Sequence, residues 1–255
     1  MSEATGEYFR KADKDAAKPP VRIGLIGATG LIGRRVIDIS SHSETARIVG
    51  IARREIEMPA GTRMELFVAS PDKWGEVFEA VRPRALICAL GTTIKKVGGD
   101  EEAFRAVDQE MVLNTAKVAH EAGIHNFVLV SAAGANPMSK HFYMRVKGET
   151  ENMISKVGFK RLDILRPGLL KGARNDDFRM GEGIAKILSP IIDPLLPEKW
   201  EMYRSVEADL VAEAALGLAM RRAQGRFVHD NEAMKRAARE WRMKSGVSDG
   251  DESEE

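Results

Sequence analysis

"GLIGATGLIGRRV", Gly24 to Val36, is the stretch on which the fold turns. Gly27, Gly30 and Gly33 close a short apolar run, "VRIGLIG", and lead directly into a segment with Ile32, Val36, Ile37 and Ile39 at helical spacing. The run suits a buried strand and the spacing suits a helix, so the glycines mark a tight strand-to-helix turn. Such a turn offers backbone N–H groups and a helix N-terminus to a pyrophosphate. The other reading is a tight βα turn that binds nothing. No Lys-Ser/Thr pair follows Gly33, which excludes the phosphate loop of ATP-binding chains.

Outward from this turn, strands and helices alternate. "RIVGIA", "RMELFVA", "ALICALG", "HNFVLVS" and "RLDILRPG" read as strands, and "GRFVH" as a last short one. Helices are expected at 71–81 and 101–122, around Tyr143, and over "SVEADLVAEAALGLAM". The long helix carries Phe104, Val107, Met111, Val112 and Val118 on its apolar stripe, with Gly123 as its C-terminal glycine. This order predicts an α/β fold, a doubly wound parallel sheet of Rossmann type covered on both faces, in a single domain with a small C-terminal substrate-side region. Residues 1–20 are expected to be disordered. The Rossmann domain is expected over 21–230, with a substrate-side insert near 171–203, followed by a basic helix and acidic disordered tail over 231–255. Pro190, Pro194 and Pro197 break the apolar 184–197 stretch, which is expected to wall or cover a substrate pocket.

Bulk properties narrow the class. A length of 255 residues buries a full core, and 44% hydrophobic against 30% charged residues excludes global disorder. A net charge of +1 gives no sign of nucleic-acid or membrane steering. Cys88 is the single cysteine, which excludes an internal disulfide or a cysteine zinc site and fits a reducing compartment. The N-terminal residues mix acids with bases and lack an apolar core, unlike a secretory or transit signal. No run of eighteen apolar residues occurs. A cytoplasmic protein with no membrane span and a small-molecule substrate is the expectation.

Chemistry enters at two places. After the second strand stand Ala52, Arg53 and Arg54, where an NAD-binding unit carries Asp or Glu against the ribose hydroxyl. Cations there suit the 2′-phosphate of NADP(H), which guanidinium grips with paired hydrogen bonds. Arg34 and Arg35 lie near a positive helix end, where an anion would offset them; the alternative is that all four arginines only solvate the surface. Further on, "YMRVKGETE" sets Tyr143 and Lys147 one helical turn apart on one face. Ser131 ends the fifth strand, and chemistry in such sheets lies beyond the carboxyl ends of the strands. A serine donating to a substrate oxygen, a tyrosine giving the proton and a lysine beside it make a carbonyl-reduction site. A free phenol, with a pKa of about 10, exchanges poorly near neutrality, and a nearby ammonium lowers that value. Gly148, inside the helix, points to close backbone packing beside the lysine.

The pieces "GATGLIGRRV", "CALGTT", "AVDQEMVLNTAKVAHEAGIHNFVLVSAAGAN", "FYMRVKGETE" and "LDILRPGLL" together resemble an atypical member of the short-chain dehydrogenase/reductase superfamily. Within it they are most similar to the Tat-interacting-protein type of NADPH-binding oxidoreductase, over most of residues 21–170. The resemblance implies Ser131, Tyr143 and Lys147 as catalytic residues. It implies a cofactor held by Gly27, Thr29, Gly30, Leu31, Ile32, Gly33, Arg53 and Arg54, with Leu90, Gly91 and Thr92 beside it. Tyr143 and Lys147 would also touch the cofactor, and Pro167, Gly168 and Leu169 would face the nicotinamide. The function so implied is NADPH-dependent reduction of a small carbonyl or enone with Tyr143 as proton donor. The alternative is an NADPH-sensing regulatory or assembly protein without turnover, with a protein partner. A nucleotide-sugar epimerase is a third reading, although such chains are longer and prefer NAD. Cys88 reads as core and His141 as surface; the helix past Asn231 is expected to dock its Met234 and Trp241 side on the body.

Overall fold

The computed structural model describes residues 19–57, 61–62, 64–171 and 206–245; the expectations for the first eighteen residues, the 184–197 stretch and the acidic tail lie outside them. Seven parallel strands form one sheet: β1 (Val21–Ile26), β2 (Ala46–Ala52), β3 (Glu65–Val68), β4 (Ala85–Cys88), β5 (Asn126–Val130), β6 (Arg161–Leu165) and, last in the chain, β9 (Gly225–His229). Their order is β3-β2-β1-β4-β5-β6-β9. β7 (Leu170–Lys171) and β8 (Val206–Glu207) make a separate parallel pair. The chain reverses its winding between β1 and β4, which pair directly, so a crevice opens at their carboxyl ends.

The five central strands, β1, β2, β4, β5 and β6, divide their side chains between two cores, as the period of two requires. Ile23, Leu25, Ile48, Ile87 and Val128 face α1 (Leu31–Ser41), α6 (Ala208–Ala219) and α7 (Asn231–Ser245). Ile26, Ile51, Leu86, Cys88, Leu129 and Ile164 face α2 (Trp74–Val81), α4 (Val112–Glu121) and α5 (Phe142–Ser155). Burial on both faces explains why the strands read as continuous apolar runs.

The long helix expected over 101–122 is interrupted. α3 (Glu101–Arg105), capped by Asp100 through the Glu102 and Ala103 amides, passes into a π-helical stretch, Ala106–Met111, before α4 resumes. A π turn holds one more residue than an α turn and changes where the following side chains point. Thr115 Oγ1 donates to the Met111 carbonyl of this stretch at 2.7 Å, and Thr150 Oγ1, which donates to the Val146 carbonyl at 2.8 Å, lies 3.2 Å from the Asp108 carbonyl. Gly123 (φ 82°) ends α4 in the left-handed region, as the sequence predicts. The basic helix α7 packs against α6, burying Met234 and Trp241.

Candidate active site

The glycine turn is tightly built. At Gly27 (φ 90°) a Cβ would stand 2.5 Å from the Ala89 carbonyl, and at Gly33 it would stand 2.2 Å from the Gly27 oxygen. Only glycine fits at either place, so the β1 turn, the β4 end and the first turn of α1 approach one another closely. Gly30 caps α1 without a side chain; Leu31, Ile32 and Gly33 follow as its first turn, with no acidic residue there. That helix end is positively poled and suited to an anion.

Beside it lies a cleft of about 390 Å³ lined by Gly27, Thr29, Ala52, Arg53, Arg54, Leu90 and Trp74 among others. The turn, the end of β2 and the end of β4 thus meet around one space, as the sequence expects. Arg53 and Arg54 are exposed, and neither has an ion-pair partner among the described residues. The helix end at the turn and the two guanidiniums are groups that could hold the phosphates of a nucleotide. Arg35 differs. Its guanidinium is taken up by both carboxylate oxygens of Asp209 and by Asp38 at 3.1 Å, which raises its pKa and leaves it unavailable to an anion. Arg34 is exposed on α1.

The other residues expected at the site lie beyond the ends of β4, β5 and β6 and on α5. Lys147 is buried, and its Nζ lies 2.7 Å from Asp108 Oδ1. Asp108 Oδ2 accepts the Thr92 backbone N–H at 2.7 Å, so this buried carboxylate ties the lysine to the Gly91–Thr92 loop. A Cβ on Gly91 would sit 3.9 Å from Lys147 Nζ. Burial acts most strongly on Lys147 and disfavours its charge, yet Asp108 and Tyr143 more than offset it and its pKa is raised. Tyr143, partly buried, packs its ring 5.6 Å from that of Phe104, and the Lys147 ammonium is 5.9 Å from the ring centre.

Ser131 follows β5 and is buried; its hydroxyl donates to Glu151 Oε1 at 2.6 Å. Arg166 grips the same carboxylate, Nε 3.0 Å from Oε1 and Nη2 2.5 Å from Oε2. Pro167, Gly168 and Leu169 run past the end of β6. The Pro167 carbonyl accepts the Ala133 amide at 2.8 Å, and the Gly168 amide donates to Asn231 at 3.2 Å. Leu169 is 56% exposed, a large apolar side chain left uncovered. Gly148 meets the loop before α5, where a Cβ would lie 2.3 Å from the Pro137 nitrogen. Cys88 is fully buried and its thiol is pushed up to about 11 by that burial, the state of an inert core cysteine. His141 is exposed.

Asp108, Glu151, Arg166 and Trp74 were not among the residues expected at this site. Glu151 stands four residues after Lys147 in "YMRVKGETE", so helical spacing alone would have found it. Asp108 reaches Lys147 from the π stretch, which α-helical spacing does not anticipate. Among the described residues no group of three His, Cys, Asp or Glu is placed to hold a metal, and no helix is long and apolar enough to cross a membrane.

A family model described as NAD(P)H-binding matches residues 27–187. Protein fmp52, mitochondrial, of Aspergillus fumigatus is 31% identical over 213 residues, covering 80% of this chain and 88% of that protein. Protein FMP52, mitochondrial, of Saccharomyces cerevisiae is 35% identical over 162 residues, 62% of this chain and 70% of that one. The UDP-glucose 4-epimerase of Thermus thermophilus in complex with NAD superimposes with a TM-score of 0.61 at 18% identity, covering 89% of this chain and 84% of that chain, and shares the fold. The expected cytoplasmic location is overturned by these relatives, which are named mitochondrial proteins. By the family match, the relatives and the seven-stranded parallel sheet together, this chain belongs to the NAD(P)H-binding family, as an atypical short-chain dehydrogenase/reductase related to the fmp52 proteins.

Proposed function

We propose that this protein is an NADPH-dependent reductase of a small carbonyl or enone substrate, with Tyr143 as proton donor. One observation carries the reading: the buried Lys147 ammonium, one helical turn from Tyr143, is held against the loop that leaves β4 beside the nucleotide cleft. A buried lysine kept charged has a use beyond packing. The bound cofactor supplies hydride. Tyr143 Oη gives its proton to the carbonyl oxygen as that oxygen gains charge, and the Lys147 ammonium stabilises the phenolate left behind. Asp108 keeps that ammonium aimed. The 89–93 and 167–169 segments wall the site, and Leu169 favours a substrate with an apolar face. Arg53 and Arg54 support preference for NADPH, since among the described residues neither has an ion-pair partner and no acid lines the cleft.

Titrating both cofactors should show tighter binding of NADPH than NADH, with the gap closing in the Arg53→Ala/Arg54→Ala variant. Against a panel of carbonyls and enones, NADPH oxidation should be measurable. Tyr143→Phe should lower it by roughly 10²-fold or more while leaving NADPH affinity little changed. NADPH binding without turnover of any panel member would instead favour the sensing protein. The relatives' names support a mitochondrial site of action, which fractionation of cells producing the full chain tests directly.

A further inference from the structure

The backbone past β6 is gripped from both sides. On one side the Ser131 amide donates to the Leu165 carbonyl and the Ala133 amide to the Pro167 carbonyl, both at 2.8 Å. On the other, the Arg166 amide donates to the His229 carbonyl at 2.9 Å, one step beyond the last β6–β9 pair, Leu165 with His229. Bonds of a parallel ladder recur at every second residue, so the Gly168 amide comes next and needs the carbonyl of Asn231. That carbonyl is turned away, because Asn231 already opens α7 and helical carbonyls point along the axis. The Asn231 side chain fills the gap: its Oδ1 accepts the Gly168 amide at 3.2 Å. Asn231 is itself anchored. It is buried, and Asp230 caps α7 by accepting the Ala233 amide on its side chain at 2.8 Å and the Met234 amide on its carbonyl at 2.9 Å. Behind it, Met234 and Trp241 seat the helix in the core. Beyond Gly168 the chain is tied again, the Val206 amide donating to the Leu169 carbonyl at 2.8 Å. Of these ties along 165–169, the one at Gly168 alone is made by a side chain, so one substitution can cut it and leave the others.

We propose that Asn231 is a positioning residue that continues the β6–β9 ladder by one side-chain bond and so fixes the 167–169 wall at the nicotinamide end of the cofactor. This rests on the reading of 167–169 as a wall of the NADPH site. Asn231 acts through Gly168 and not by touching cofactor or substrate. The cleft at the Gly27 turn and the two arginines is built from the ends of β1, β2 and β4 and from Trp74, and does not depend on this bond. Loss of the bond therefore separates the two ends of the cofactor.

The test uses the full chain and two ligands, NADPH and 2′-phosphoadenosine 5′-diphosphoribose, the same molecule without its nicotinamide. Calorimetry reads both affinities in the parent, Asn231→Ala and Asn231→Asp proteins, and NMR reads hydrogen exchange at the Gly168 amide of the free proteins. Alanine removes the acceptor; aspartate keeps it. Asn231→Ala should speed Gly168 exchange and weaken NADPH roughly tenfold, while changing the shorter ligand by less than about twofold. Asn231→Asp should return both readings toward the parent. A merely structural asparagine would lower the two affinities together, and an acceptor would not rescue it. Should the alanine variant fail to fold by circular dichroism, Asn231→Ser, whose side chain ends one bond short of Oδ1, takes its place. Equal losses of the two ligands, no loss of NADPH, unchanged exchange at Gly168, or an aspartate variant no better than alanine each overturn the proposal alone. A parent that binds neither ligand overturns the nucleotide reading and the proposal with it, so the two failures are told apart.

Discussion

Lys147 keeps its charge at 7% exposure because Asp108 stands 2.7 Å away. The sign of the linkage follows from a raised native pKa: the contribution to stability is fully present below the unfolded lysine value, about 10.4, and is lost as pH rises through the higher native one. Asp108→Asn removes the opposing charge, and burial then pushes Lys147 down. NADPH affinity of that variant should decline as pH is raised from about 7 to about 10, where the parent's stays flat. A flat profile in both proteins would mean that Asp108 does not hold the charge. Cys88 supplies the opposite case. Its thiol, pushed up to about 11 in the core, should resist a thiol-reactive dye near neutral pH until the protein is unfolded in denaturant. Fast labelling of native protein would contradict that burial.

The strand–turn–helix around Gly27 was legible in sequence because its geometry is local: Gly27 and Gly33 each answer a clash with the adjoining β4 end or the turn itself. Tyr143 and Lys147 were legible because they share one regular helix. Asp108 was not, since the register of α3 and α4 breaks in the π stretch between them, and no apolar period records that break. Arg35 was misjudged for another reason: its partner Asp209 lies 174 residues away. Gly148 shows that a local cost can be read correctly. A glycine in mid-helix loses about 1 kcal/mol against alanine, and here the Asn136–Pro137 backbone fills the space a Cβ would take. Gly148→Ala should therefore destabilise the protein by about 3 kcal/mol despite its better helix propensity, or displace α5 from the 136–137 loop. Denaturant melts measure the first outcome; an alanine variant as stable as the parent would argue against the close approach.

Across the whole molecule, the last helix belongs to the core. α7 lays Met234 and Trp241 on α6, and a Cβ on Gly217 would come within 2.8 Å of the Ala237 carbonyl, so the two helices cross closely. Trp241→Ala should cost about 3–5 kcal/mol. The indole Nε1 is buried without a partner among the described residues, so Trp241→Phe loses no hydrogen bond and should cost less than half as much. Equal losses in thermal unfolding would show that the indole N–H is bonded after all. The clamp of Arg35 by Asp209 carries a consequence for synthesis. Chains grow from the N-terminus, and domains generally fold as units once enough of the chain has been made. The helix that opens the nucleotide turn waits for a carboxylate 174 residues downstream, so its native ion pair forms only when most of the chain has left the ribosome. A growing chain therefore carries the glycine turn early, while the helix that follows it gains this ion pair, and the α6 face it packs on, only late in synthesis.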